Sequence, residues 1–259
     1  MIPIKTAPEI AKMRCVCERA GAVLHRICGE IRPGVTTGEI DRLAAEFIAA
    51  EGCRSAFLGY QGFPGHICIS TNEEVIHGVG GKRRIEYGDI VKIDCGVVRD
   101  GWIGDTAMTI PVGVVAPEVM TLLRVTERSL FLAIQNALPG ARLGNVSAAI
   151  EDEVRSSSFS VVREFVGHGV GRELHEEPQI PNFGRRNSGP ILRPGMTLAI
   201  EPMVNMGVSA VRVSHDNWTV VTADGRPSAH FEHTVLITES EPEILTLPLH
   251  RVSETKNSF

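Results

Sequence analysis

The chain has 259 residues, with 26 basic and 31 acidic side chains and a formal charge of -5. That balance offers no electrostatic footprint for nucleic acid, and a hydrophobic content of 43 % excludes a disordered chain. The length suits one large domain or two small ones. All six cysteines (Cys15, Cys17, Cys28, Cys53, Cys68, Cys95) lie in the first 95 residues without a paired CxxC spacing. Neither a disulfide framework nor a cysteine zinc site is indicated. Pro3, Lys5 and Glu9 interrupt the place where a signal peptide would need an unbroken apolar stretch, and no run reaches the ~20 apolar residues of a membrane span. A cytoplasmic protein with reduced thiols is expected, partnered by neither membrane nor nucleic acid.

Thr6-Ala7-Pro8-Glu9 is a capping box with proline in the first turn, and Ile10, Met13, Cys17, Ala20 and Leu24 follow at helical spacing. A first helix to about residue 28 is predicted. Thr36-Thr37-Gly38-Glu39 opens a second, with Ile40, Leu43, Ala44, Phe47 and Ile48 on one face and Gly52 as its stop. Residues 56 to 110 then alternate β-branched side chains with glycine and asparagine turns, which reads as strands. A third helix is predicted from about Glu118 to Ala137. A strand is expected over Phe159 to Val166, followed by a flexible glycine-rich segment, Gly167-His168-Gly169-Val170-Gly171.

The same grammar returns after a shift of 106 or 107 residues. Pro33-Gly34-x3-Gly38-x-Ile40 resembles Pro139-Gly140-x3-Gly144-x-Val146, each leading into an apolar helical stripe, and Tyr87 to Asp94 resembles Pro194 to Glu201. An internal duplication is the expectation, with halves at about 1–115 and 116–259. A pseudo-twofold between them would bring Asp94 and Glu201 to one central site.

Asp100-Gly101 between two strand-like runs is a hairpin signal. Folding there sets Gly96 opposite Asp105, with Asp94 on the same face as Gly96, so that Asp94 and Asp105 form a diagonal pair. Two carboxylates so placed need a shared proton or a cation, and the glycines at 96 and 104 leave room above them. His168, His175, Glu201 (immediately before Pro202) and Glu232 (in His230-Phe231-Glu232-His233-Thr234) each read alone as ordinary residues. Taken together, Asp94, Asp105, His168, Glu201 and Glu232 form an oxygen-dominated set with one imidazole, suited to a pair of divalent ions. Such a pair lowers the pKa of a shared water toward neutrality, which suits hydrolysis of amides or of phosphate esters.

The ordered motifs His77-Gly78, Asp94-x10-Asp105 with Gly104-Asp105-Thr106, Gly167-His168-Gly169, His175-Glu176-Glu177-Pro178-Gln179, Glu201-Pro202-Met203-Val204 and Glu232 resemble the type I methionine aminopeptidases, in their minimal bacterial or organellar form. The likeness runs from about residue 5 to 250. It implies an α/β (α+β) "pita-bread" fold, a pseudo-twofold pair of antiparallel sheet halves backed by helices, forming one catalytic domain over 1–259. It implies two divalent ions per site, with cobalt, manganese, iron and zinc all compatible. Asp94 would serve one ion, His168 and Glu201 the other, and Asp105 and Glu232 both. The activated hydroxide would attack the methionyl carbonyl, with Glu201 as proton shuttle, His77 on the scissile amide and His175 steadying the oxyanion. Tyr60, Phe63, Cys68 and Trp218 would line the methionine pocket, with Phe57 and Leu174 nearby. Substrates would be the N-termini of nascent polypeptides with small second residues, met near the ribosome exit by a monomeric enzyme.

The chain departs from the family pattern where Phe57 stands for a frequent cysteine, Leu174 for a frequent phenylalanine, and Gly96 and Ala199 for threonines carried by some relatives. None of these is a ligand. An X-Pro peptidase of the same fold would use a nearly identical metal set behind a large N-terminal domain, whereas His77 arrives here after 76 residues. The 26 positions from His175 to Glu201 leave no room for the helical insertion of type II enzymes, and the cysteine-rich zinc module of the eukaryotic cytosolic type I form is not seen. A non-catalytic relative would have lost ligands, and all five are present. A phosphohydrolase is distinguished by activity on a phosphate ester rather than a methionyl peptide.

Overall fold

The computed structural model describes residues 1–247, so the last positions of the expected second half lie outside the described residues. Both capping boxes form. Glu9 accepts from the Thr6 backbone N–H at 2.9 Å and Glu39 from that of Thr36 at 2.8 Å, satisfying donors that helix starts otherwise leave free. Helix α1 spans Ala7–Glu30 and α2 Thr37–Ala50. Two further helices, α3 (Pro117–Gln135) and α4 (Leu143–Ser156), flank the second proline-glycine signal as α1 and α2 flank the first. No helix is long and apolar enough to cross a membrane among the described residues.

The strands of the first part are β1 (Arg54–Ser55), β2 (Cys68–Thr71), β3 (Glu74–Ile76), β4 (Ile90–Arg99) and β5 (Trp102–Pro111). Those of the second are β6 (Ser160–Val161), β7 (Gly167–Gly169), β8 (Glu176–Ile180), β9 (Thr197–Ile200), β10 (Met203–Asn205), β11 (Val211–Val213), β12 (Val220–Thr222), β13 (Ser228–His230), β14 (Glu232–Leu236) and β15 (Glu243–Ile244). The main sheet runs β1-β4-β5-β14-β9-β7-β8, with β2 also on β4 and β15 on β14, and all its pairings are antiparallel. Two small sheets, β13-β10-β6 and β11-β12-β3, complete the fold.

One apolar core forms where α1 covers β4 and β5 and α2 packs on α1 and β1, with Met13, Cys17, Leu24, Ile40, Ile93 and Trp102 among its fully or nearly fully buried members. A second forms under α3 and α4, around Leu122, Leu130, Val146, Ile150, Leu198 and Val235. Each buried Leu or Ile adds about 1.5–3 kcal/mol relative to exposure. The two cores meet at the β5–β14 seam, which is the middle of the main sheet. Lys92 helps tie that middle together: fully buried, its Nζ donates to the carbonyls of Asn72 (2.7 Å) and Ser228 (2.8 Å). The loop before His77 is thereby anchored to the strand before Glu232.

The strand expected over Phe159 to Val166 is only the two residues of β6. Val162 still donates to the Met203 carbonyl, but Arg163 and Glu164 are exposed, and the chain crosses toward the main sheet instead of pairing further. The glycine-rich segment after it is not a flexible loop. It is β7, buried between β8 and β9. A Cβ on Gly167 would meet the Ala199 carbonyl at 2.5 Å, and one on Gly169 would strike the Glu177 carbonyl, so close approach of strands, not mobility, requires glycine there.

Candidate metal centre and its pocket

The β4–β5 hairpin has the expected register, with Asp100 and Gly101 both at positive φ and Gly96 opposite Asp105. Asp94 is paired with Ala107 on one side and Cys68 on the other, while Ala107 is paired in turn with Glu232. One row of the sheet therefore reads Cys68, Asp94, Ala107, Glu232. Asp105 lies two residues from Ala107 on the same strand face. Small residues thus alternate with acids. Ala107 separates Asp94 from Glu232, and Gly96 faces Asp105. His168 enters from β7 opposite Ala199, whose missing side-chain bulk keeps that approach open. Glu201 leaves the end of β9, its Oε1 3.3 Å from His168 Nε2, and Asp105 Oδ2 lies 4.0 Å from the same nitrogen.

The acids are deep and uncompensated. Asp105 is 3 % and Glu232 2 % exposed, and Asp94 Oδ1, Asp105 Oδ1 and Glu232 Oε1 are buried with no hydrogen-bond partner. Among the described residues, the ion pairs of these four carboxylates are to histidine alone. Burial pushes Asp105 up to about 7. Asp94, Glu201 and Glu232 are raised well above the usual carboxylate range, first by burial and then by one another's charge. Burial holds His168 down at about 3, so its imidazole is neutral. Its Nδ1 lies 2.9 Å from the Gly169 carbonyl; a carbonyl can only accept, so the proton sits on Nδ1 and the Nε2 lone pair faces the acids. Asp105, His168 and Glu232 offer ligand atoms within 4.8 Å of one another. Orphaned carboxylate oxygens around a free imidazole lone pair fit divalent cations and fit little else.

Above this floor lies a cavity of about 140 Å³ lined by all five of these residues and by Phe57, Tyr60, Phe63, Cys68, His77, Leu174, His175 and Trp218. Ordinary ligand clefts hold roughly 300–1,000 Å³, so this one suits a single side chain. Phe63 meets Trp218 edge-on with ring centroids 5.1 Å apart. His77 has φ 58, a left-handed backbone rare outside glycine and typical of functional sites. Gly78 follows because a Cβ there would strike the Ile69 carbonyl. Burial lowers His77 to about 4 and also lowers His175. Both rings reach the cavity as neutral donors or acceptors.

This geometry has close counterparts. Residues 11–239 match the metallopeptidase family M24. The chain belongs to metallopeptidase family M24. Its likeness to the methionine aminopeptidases of that family covers nearly its whole described length. "Methionine aminopeptidase 1" of Bacillus subtilis is 50 % identical over 246 residues, which are 95 % of this chain and 99 % of that protein. The crystal structure of methionine aminopeptidase from Thermotoga maritima superposes with a TM-score of 0.94 at 48 % identity, covering 95 % of this chain and all of that one. The prolidase of Pyrococcus furiosus shares the architecture more distantly, with a TM-score of 0.76 at 25 % identity, and this chain covers 65 % of it. The α/β pita-bread architecture expected from the motifs is the one observed.

Every site residue expected from the M24 motifs reaches this one cavity. Several others there were not singled out from the sequence. Gln61 lines the pocket. Phe165 packs edge-on against His77 at 5.7 Å. His230, buried with Nε2 unpartnered, lies 3.6 Å from Glu201 Oε2. His230 had one available clue, since two positions before Glu232 it shares that residue's face if the strand continues. The reading of the two glycines needs correction. Gly104 lies on the opposite face from Asp105, where a Cβ would come within 2.8 Å of the Cys17 Cα, so it admits α1 and leaves the site untouched. Gly96 does lie on the site face, but the space above it is filled by the Phe57 ring, which a Cβ at 96 would strike. Phe57 and Gly96 are one packing unit.

Proposed function

We propose that the chain is a type I methionine aminopeptidase, which removes the N-terminal methionine from polypeptides whose second residue is small. The observation that carries this reading is the junction of a one-side-chain apolar cavity with five converging metal-ligand residues. Residues 1–115 and 116–259 are the two related halves of one catalytic unit. In support, the main sheet reads outward from the β5–β14 seam as β4 on one side and β9 on the other, with one helix before and one after the proline-glycine signal in each half.

Asp94 would hold one divalent ion, His168 and Glu201 a second, and Asp105 and Glu232 both. When bound, the ions supply Lewis acidity and bring the pKa of a water toward neutrality. Glu201, whose carboxyl pKa burial raises well above the usual range, can take the proton from the attacking water and return it to the leaving amide nitrogen. His77 donates to the scissile amide, and His175 steadies the oxygen that gains charge as the carbonyl becomes tetrahedral. Tyr60, Phe63, Cys68 and Trp218, with Phe57 and Leu174 behind them, receive the flexible, polarizable methionine side chain. Cobalt, manganese, iron or zinc suits such a donor set. The substrates are nascent polypeptide N-termini met near the ribosome exit, and the enzyme is a cytoplasmic monomer.

A peptide series that varies only the second residue tests the reading. With manganese-loaded protein, Met-Gly, Met-Ala and Met-Ser peptides should be cleaved on the order of 10²-fold faster than Met-Leu or Met-Ile. Preferential cleavage of X-Pro dipeptides would instead transfer the chain to the prolidase side of the family, and hydrolysis of a phosphate ester alone would refute a peptidase.

A further inference from the structure

We infer that Tyr60 is a positioning residue as well as a pocket wall: its hydroxyl donates to Nδ1 of His175 and so keeps that imidazole's proton on Nε2. The inference rests on the role given to His175 above. Tyr60 Oη and His175 Nδ1 are 2.7 Å apart, while the two rings are tilted by 56° at 5.3 Å. The contact is therefore made through the hydroxyl rather than by stacking. A neutral imidazole has one donor and one acceptor nitrogen. If Nδ1 carried the proton, Nε2 would turn a lone pair toward an oxygen that is gaining negative charge. With Nδ1 occupied as an acceptor, Nε2–H is left as the donor that an oxyanion requires.

The other contacts around His175 restrain its turn and its ring without making this choice. Its neighbour Glu176 accepts from the backbone N–H of Arg172 at 2.8 Å and of Glu173 at 3.4 Å, and from Lys5 Nζ at 2.6 Å in a nearly buried ion pair. The turn that carries His175 is thus anchored. His168 packs edge-on against its ring at 4.4 Å, which limits tilt. Neither contact selects a tautomer. Tyr60 is held with similar care: Gly59, Gln61 and Gly62 all have positive φ, and Tyr60 donates its N–H to the Phe57 carbonyl while its own carbonyl accepts from Phe63. Left-handed backbone at the non-glycine Gln61 is a local strain that surrounding contacts must maintain. A wall for methionine needs no hydroxyl, as Phe63 beside it illustrates. The hydroxyl is on the one aromatic whose Oη reaches His175, and His168 has its own tautomer set by a comparable device, the Gly169 carbonyl.

The test compares Tyr60→Phe, His175→Ala and the double variant as manganese-loaded proteins on one Met-Ala-Ser peptide. Tyr60→Phe keeps the ring, so KM should stay within about 2-fold of the parent while kcat falls about 10- to 100-fold, the scale of losing an orienting partner. The double variant should be no slower than His175→Ala alone, because a residue acting through His175 has nothing left to act on. Nitrogen-15 NMR of the metal-free parent should show His175 protonated at Nε2, and Tyr60→Phe should show a mixture of tautomers. Parental kcat in Tyr60→Phe, multiplied losses in the double variant, or a proton on Nδ1 in the parent would each overturn the inference and leave the peptidase reading standing. Full activity of His175→Ala would remove the role on which the inference depends. A parent inactive on methionyl peptides would remove the functional reading itself.

Discussion

Asp94, Asp105 and Glu232 project from three neighbouring strands of one sheet, whereas Phe57, Tyr60, Phe63, Leu174 and Trp218 reach the same cavity from connecting loops. The floor gathers four buried acids that no side-chain cation balances, so its geometry has to resist mutual repulsion once they ionise, and a hydrogen-bonded sheet interior provides that resistance. The wall holds apolar and aromatic groups whose task is shape. Loops can change shape without disturbing the ladder beneath them. Substitutions in the floor should therefore act on chemistry with little cost in folding, and substitutions in the wall should act on fit and packing.

The largest effect is expected for Asp105→Asn. Loss of this proposed shared ligand should lower kcat/KM by on the order of 10³-fold or more. The metal-free variant should melt no lower than the metal-free parent, since a neutral amide replaces an uncompensated buried carboxylate. Steady-state kinetics and calorimetry on the same preparations check both halves, and an active variant would sink the ligand assignment.

An intermediate effect concerns pH. The folded-state value of Asp105 is raised from 3.8 to about 7, and Asp94, Glu201 and Glu232 are shifted the same way around the neutral His168. A group raised on folding contributes its full stability below its unfolded value and loses it as pH climbs through the folded value. The metal-free protein should thus lose stability from about pH 4 to about pH 7 through Asp105. Divalent ions displace the protons and relieve the repulsion, so the Tm gain on adding manganese should grow over that window. Titration calorimetry in buffers of different ionisation enthalpy should show proton release at pH 7. A Tm gain that shrinks with rising pH would contradict the charge state assigned to the floor.

The smallest effect belongs to the wall. Gly96→Ala should cost about 1–3 kcal/mol, because the new methyl collides with the Phe57 ring and forces repacking. In a Phe57→Cys background the added cost should drop below about 0.5 kcal/mol. Urea unfolding of the four proteins measures the coupling, and equal costs in the two backgrounds would show that 57 and 96 are independent.

Much of the floor was legible in the amino-acid sequence because its signals are local. The Asp100-Gly101 turn dictates the register that sets Asp94 diagonal to Asp105, and the repeated proline-glycine signals announce matching helices in the two halves. Thr6 and Glu9, or Thr36 and Glu39, start a helix within four residues of one another, with no distant partner involved. The ordered motifs added the remaining candidate ligands by resemblance. What the tertiary structure decided is where elements distant in the chain come together. Gly104 and Gly96 look alike in sequence, yet one makes way for Cys17 of α1 and the other for the ring of Phe57. Ala107 carries no sign that it will separate two acids, and nothing near Tyr60 indicates that its hydroxyl will meet His175, 115 residues away. Periodicity and turn chemistry act over a few residues, whereas the close approach of backbones, the space above a strand and the partner of a buried hydroxyl depend on how sheets, helices and loops pack against one another.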